Sequence, residues 1–144
     1  MLEEDIQKSG VSAVIYEGPT YNGMGAMDAA IIASGTATLE AGLLLRPMVI
    51  IYKTAWLTYE LAKRLVKIPY IGLVNIVAGR KIVEELIQHD ATAEKIAAEI
   101  EKICANPNAY AQMTNDLAQV KSSLGHAGAS QRAARVVLEI LAVY

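Results

Sequence analysis

Four short apolar runs limit what this chain can fold into. They lie at residues 11–16, 29–33, 48–52 and 70–74. None is long enough for a helix of ordinary length. None alternates apolar with polar residues, so each reads as a strand covered on both faces, as in a parallel sheet. Helical periodicity fills the gaps. Residues 36–45 start after a Ser-Gly-Thr turn and stop before Arg46 and Pro47, where proline bars further helix. Residues 56–66 put Leu57, Leu61 and Leu65 on one stripe, and residues 80–89 put Ile82, Val83, Leu86 and Ile87 on one face. Strands alternating with helices at roughly twenty residues per unit imply right-handed crossovers in a parallel sheet.

Beyond His89 the strand signals stop. Thr92 predicts an N-cap with Glu94 in the first turn, and Ile96, Ile100 and Ile103 continue one helical face. Asn106, Pro107 and Asn108 mark a turn, followed by helices over 109–124 and 129–143 that Gly125 and Gly128 separate. The expected architecture is α/β, a parallel sheet of about four strands with an all-helical C-terminal third. Length predicts a single domain over 1–144, with its βα core at 1–90 and its helical segment at 91–144. Residues 2–9 read as a helix that would ordinarily follow a strand, so the expectation is that further strands belong upstream.

Composition narrows the function classes. A chain 53% hydrophobic and 19% charged folds. A net charge of −2 lacks the basic excess of a nucleic-acid binder. Cys104 is the sole cysteine, so no internal disulfide forms and a cytoplasmic, reducing compartment is expected. Its place in a helical pattern predicts a core thiol. The acidic start does not read as a signal peptide. The greasiest region, 26–52, is broken by Ser34, Gly35, Thr36, Glu40, Arg46 and Pro47, and a membrane span needs about 20 nearly uninterrupted apolar residues.

The best local site is the segment 33–40, where a buried strand ends, Gly35 permits a tight turn and a helix begins. The first N–H groups of such a helix lack intrahelical partners and carry the positive end of its dipole, so a phosphate fits there. The hydroxyls of Ser34 and Thr36 add donors. Glu40, one turn past Thr36 on the same face, can accept from both hydroxyls of a ribose. A second reading stays equally open: Ser34 and Thr36 cap the helix, and Glu40 is solvated. The second candidate is 73–80. Asn75 offers a donor and an acceptor, and Arg80 a fork suited to phosphate. A turn at Asn75 and a surface charge at Arg80 are the simpler account. Gly23 and Gly25 lack the third glycine of a dinucleotide fingerprint. His89 and His126 have no partner at metal-ligand or triad spacing, so surface or cap positions and no metal are expected. Lys53, Lys63, Arg64 and Lys67 near Trp56 and Tyr59 form either a patch for anionic lipid or, more commonly, a solvated helix face.

Four blocks between residues 28 and 86 carry a resemblance to a known family: DAAIIASGTATLE at 28–40, RPMV at 46–49, LAKRLVK at 61–67, and Asn75 with AGR at 78–80. In this order and spacing the chain resembles lipid-A-disaccharide synthase, with weaker similarity from about Lys8 to the C-terminal helix. The resemblance implies the C-terminal, Rossmann-like, donor-binding domain of a GT-B glycosyltransferase. That family transfers 2,3-diacylglucosamine from UDP to 2,3-diacylglucosamine 1-phosphate in lipid A biosynthesis, without a metal or other cofactor. Carried over by position, Ser34, Gly35 and Thr36 would meet the diphosphate, Glu40 the ribose, and Asn75 and Arg80 the donor neighbourhood.

The resemblance also places the acceptor domain and the catalytic base outside this chain. No catalytic residue is therefore expected here, and negligible transferase activity from the chain alone. It further implies an N-terminal acceptor-binding partner, a homodimer through the C-terminal helices, and peripheral contact with the cytoplasmic face of the inner membrane. The other reading is a nucleotide-binding or assembly module that kept the fold and lost the reaction. Three positions depart from the family's usual pattern. Val74 stands for proline, Lys81 for an acid, and Lys53 for arginine.

Overall fold

A computed structural model describes residues 2–55, 58–59, 69–125 and 128–141. Three parallel strands, β1 (Ala30–Ala33), β2 (Met48–Tyr52) and β3 (Glu84–Ile87), form one sheet in the order β1-β2-β3. The register pairs Ala30 with Met48 and Val49 with Glu84. Helices α1 (Leu2–Ser9) and α2 (Thr20–Gly25) precede β1. Helix α3 (Thr36–Leu43) links β1 to β2, and α4 (Leu73–Ala78) leads into β3. A short 3-10 turn, Gln88–Asp90, follows β3. Helices α5 (Ala93–Ala105), α6 (Pro107–Ser123) and α7 (Ala129–Leu141) complete the described chain.

Alternation along β2 explains the layering. Met48 and Ile50 face a core shared with Ala41 of α3, Val74 of α4, and Leu117 and Val120 of α6. Val49 faces the opposite way, onto Leu86, Ala91 and Ile103, with Ile96 and Ile100 of α5 packed alongside. The central strand β2 is thus covered on both faces, and its uninterrupted apolar run sits where a parallel sheet requires one, whereas β1 buries only Ala30 and Ile32. Met48, Val49 and Ile50 are all but fully buried, and each stabilises the fold by about 1.5–3 kcal/mol relative to exposure. Helix α6 packs on α3 and α4, so part of the helical third closes the core of the βα layer. No residue of α7 is buried, and its Val136, Val137, Leu138, Ile140 and Leu141 are exposed.

The expected strands at 29–33 and 48–52 are present, one residue shorter in the first case. The other two are corrected. Residues 11–16 form no strand and are exposed, with no ladder partner among the described residues. Residues 70–74 are not a strand either. The chain enters α4 at Leu73 after an extended Gly72, and leaves it at Gly79 in the left-handed conformation, φ 66°. The strand lies further on, inside the segment 80–89 expected to be a helix. Glu84 and Glu85 disguise it, because a charged pair does not read as a buried strand. The sheet therefore has three described strands in place of four. Residues 58 and 59 are helical, and the rest of the helix expected at 56–66 lies outside the described residues.

Local signals set several helix ends. Helix α3 stops because the N–H of Arg46 bonds the carbonyl of Ala41 and that of Leu45 bonds Gly42, with Leu45 left-handed at φ 57°. That is a Schellman ending on a residue other than glycine. Thr92 caps α5 as expected, accepting from the N–H of Lys95 at 3.3 Å. Asn106 caps α6 with Pro107 in its first turn, so this helix begins two residues before the expected start. Cys104 is exposed. It lies one residue past buried Ile103, about 100° off the packed face, which corrects the expectation of a core thiol.

Candidate functional site

The carboxyl ends of the three strands meet two helix N-termini, those of α3 and α4. Ser34, the residue after β1, extends the ladder by donating its N–H to the Ile51 carbonyl at 3.0 Å. Its hydroxyl donates to the carbonyl of Ile71 at 3.2 Å, which ties the end of β1 to the entrance of α4. The two N-termini are therefore neighbours, but they differ in what occupies them.

Glu85 fills the entrance of α4. Its Oε2 accepts the N–H of Ile71 at 2.9 Å and its Oε1 that of Gly72 at 3.0 Å. The same Oε1 accepts from Asn75 Nδ2 at 2.8 Å. A carboxylate of the protein already sits where an anion would bind. A Cβ at Gly72 would lie 2.3 Å from Ile50 Cδ1 and 3.2 Å from Glu85 Oε1, so a larger residue there would have to displace the end of the Ile50 side chain.

The entrance of α3 is open. Gly35 enters it with φ 148°, a conformation that favours glycine, and no side chain caps the helix. Gly35 and Thr36 are exposed, whereas Ser34 and Glu40 are half-buried. The N–H groups of Thr36 and Ala37 precede the first helical bond, from Thr38 to the Gly35 carbonyl at 3.2 Å. Thr38 is fully buried, and its hydroxyl also donates to Gly35 at 2.8 Å. Helical spacing sets Thr36 and Glu40 together on the side opposite buried Thr38, Ala41 and Gly42. A depression of about 350 Å³ adjoins this corner, lined by Ser34, Tyr52, Lys53 and Ile96 among others.

Four of the six expected site residues, Ser34, Gly35, Thr36 and Glu40, thus share one corner. Asn75 is fully buried and its amide is spent within the protein. It donates to the Val83 carbonyl and to Glu85, and accepts the N–H groups of Ile82 and Val83 at 2.9 and 3.0 Å. Arg80 lies before β3, at the amino end of the sheet, and forks onto buried Asp116 of α6 at 2.7 and 3.4 Å. The hydrogen bond from Arg80 holds the Asp116 carboxyl below the usual range, and Asp116 in turn raises Arg80. Lys81 pairs with Glu84 at 2.6 Å. Sequence reasoning missed Glu85, for which a glutamate inside an apolar run, where only internal donors could stabilise it, was the available signal.

His89 is exposed, as expected, and His126 lies outside the described residues. Among the described residues no group of three or more His, Cys, Asp and Glu could hold a metal ion. No described helix is long and apolar enough to cross a membrane. Most of the basic and aromatic patch around Trp56 and Lys63 lies outside the described residues.

Fold and corner together define a Rossmann-like α/β domain with an unfilled helix N-terminus at the carboxyl edge of its sheet. Residues 2–140 match the family model described as lipid-A-disaccharide synthetase. The lipid-A-disaccharide synthase of Anaeromyxobacter dehalogenans (strain 2CP-C) is 49% identical over 127 residues, 88% of this chain and 33% of that protein. That of Geobacter sulfurreducens is 49% identical over 134 residues, 92% and 35%. That of Syntrophus aciditrophicus is 40% identical over 141 residues, 97% and 37%. The chain belongs to the lipid-A-disaccharide synthase family. It spans about a third of the length of the curated relatives it matches.

Proposed function

We propose that this chain forms the donor-binding part of a GT-B glycosyltransferase that makes the lipid A disaccharide, and that the corner at residues 34–40 holds a UDP-sugar. The observation that carries this reading is the contrast between the two helix entrances: that of α4 is filled by Glu85, and that of α3 is open. In open α/β sheets, ligands bind beyond the carboxyl ends of the strands. The free amides of Thr36 and Ala37 hold the diphosphate, assisted by the Thr36 hydroxyl and, once it releases Ile71, by that of Ser34. Glu40 accepts from the ribose hydroxyls. Lys53, at the end of β2, offsets the diphosphate charge. Asn75 and Arg80 support the site from behind, by fixing α4 to β3 and β3 to α6.

In such a site the protein stabilises the leaving diphosphate as the glycosidic bond breaks, because the donors are fixed before charge develops. UDP-2,3-diacylglucosamine is the donor that family membership favours. An acceptor-binding N-terminal domain, a homodimer and contact with the cytoplasmic face of the inner membrane belong to the same reading.

Titration calorimetry with UDP tests it. Glu40→Ala removes hydrogen bonds to a charged acceptor worth about 1.5–3 kcal/mol, so UDP should bind about tenfold to a hundredfold more weakly. Thr36→Val should weaken UDP binding while leaving the thermal midpoint near that of the parent. Unchanged affinity in both variants would place the ligand elsewhere, and a parent chain that gives no heat with UDP would favour an assembly module.

A further inference from the structure

Gln88 is strained and occupied in a way the core does not require. It takes φ 52°, the left-handed region that favours glycine and asparagine. The β2-β3 ladder ends where Tyr52 pairs with Ile87, and the Gln88 side chain continues it by one residue. Its Oε1 accepts the N–H of Thr54 at 2.8 Å, and its Nε2 donates to the Thr54 carbonyl at 3.0 Å. Both backbone polar groups of Thr54 are therefore gripped by one side chain. The Gln88 carbonyl also accepts the N–H of Ala91 at 3.3 Å.

These bonds flank the depression beside Ser34. Lys53 lies between the last residue of β2 and the gripped Thr54, and it lines that depression with Ser34 and Ala91. A left-handed glutamine is sustained only where the surroundings over-determine it, and such strain collects where a site must be held in one geometry. We propose that Gln88 is a positioning residue of the carboxyl-edge site. By clamping Thr54 it holds the Lys53 ammonium over the depression shared with Ser34, ready for the diphosphate of a nucleoside diphosphate. This rests on the donor-site reading above.

The test is a double-mutant cycle on UDP affinity in the 144-residue chain. Gln88→Asn keeps the amide and the tolerance of a left-handed backbone but is one methylene too short to reach Thr54. Lys53→Ala removes the charge. Either variant deprives the diphosphate of a charge-assisted hydrogen bond, so each should weaken UDP binding about tenfold. If Gln88 acts through Lys53, the double variant is no weaker than Lys53→Ala alone, an outcome that a purely structural role does not produce. Should Gln88→Asn fail to fold, Gln88→Gly, which suits the left-handed backbone and removes the amide, carries the same cycle. Parent-like affinity in the Gln88 variant, or losses that add to those of Lys53→Ala, overturns the clamp and leaves the donor site standing. A parent chain that does not bind UDP overturns both.

Discussion

Asn75 is where residue chemistry and position part most clearly. An asparagine at the end of an apolar run reads as a ligand donor, yet this one lies inside α4, answers four internal groups and has no exposed surface. Its amide replaces strand pairing for Ile82 and Val83 as the chain turns from α4 into β3. Asn75→Leu, close in volume but without polar atoms, leaves two buried N–H groups and a carbonyl without partners. Each such group costs about 1–3 kcal/mol, so urea unfolding should show a loss of about 3 kcal/mol or more. A loss under about 1 kcal/mol, roughly the scale of an ordinary surface substitution, would contradict this role. Glu85 is the companion case. One carboxylate accepts from Ile71, Gly72 and Asn75, and so makes a charged residue acceptable in a strand.

Strand β2 reads as an apolar run because helices cover both its faces, whereas β1 is apolar although Ile31 and Ala33 on its second face are exposed. Helix α3 is marked by a glycine at its start and a proline beyond its end. Strand β3 escapes such a reading because half of its four residues are glutamates, whose partners come from the distant Ile71 and Gly72 and from Lys81, three residues before Glu84. Periodicity sees none of those partners. The apolar stretch at 70–74 mimics a strand instead, although its Val74 packs inward from a short helix. The corner at 34–36 is legible because its signal is local. The roles of Asn75 and Arg80 are not, because Val83 and Asp116 become their neighbours only in the folded chain. The Arg80–Asp116 pair joins the start of the β3 segment to α6, and pH tests that link. The folded carboxyl of Asp116 is depressed, so its contribution to stability is complete above the unfolded value of about 3.9 and is lost as pH falls through the folded value. Half-exposed Arg80 is screened by solvent, which keeps the contribution modest. The stability gap between the parent and Asp116→Asn should hold from about pH 7 to about 5 and close below about 3.9. A gap that stays constant down to about pH 3 would contradict the pairing.

Taken whole, the molecule is a small parallel sheet whose chemistry is concentrated at one edge. The amino edge is tied by Arg80 to Asp116 and by Lys81 to Glu84. The carboxyl edge carries an open helix entrance, a strained glutamine and a lysine beside a depression. Among the described residues no strand pairs with the outer edge of β1, and no residue of α7 is buried. Under the donor-site proposal, function at this scale turns on which of the two neighbouring helix entrances receives the ligand. Amide chemical shifts of the isotopically labelled chain, followed during titration with UDP, decide it most directly. Saturable shifts centred on Gly35, Thr36 and Ala37 are expected, with Gly72 and Leu73 little changed. Shifts centred on Gly72 and Leu73, or none at residues 35–37, would contradict it.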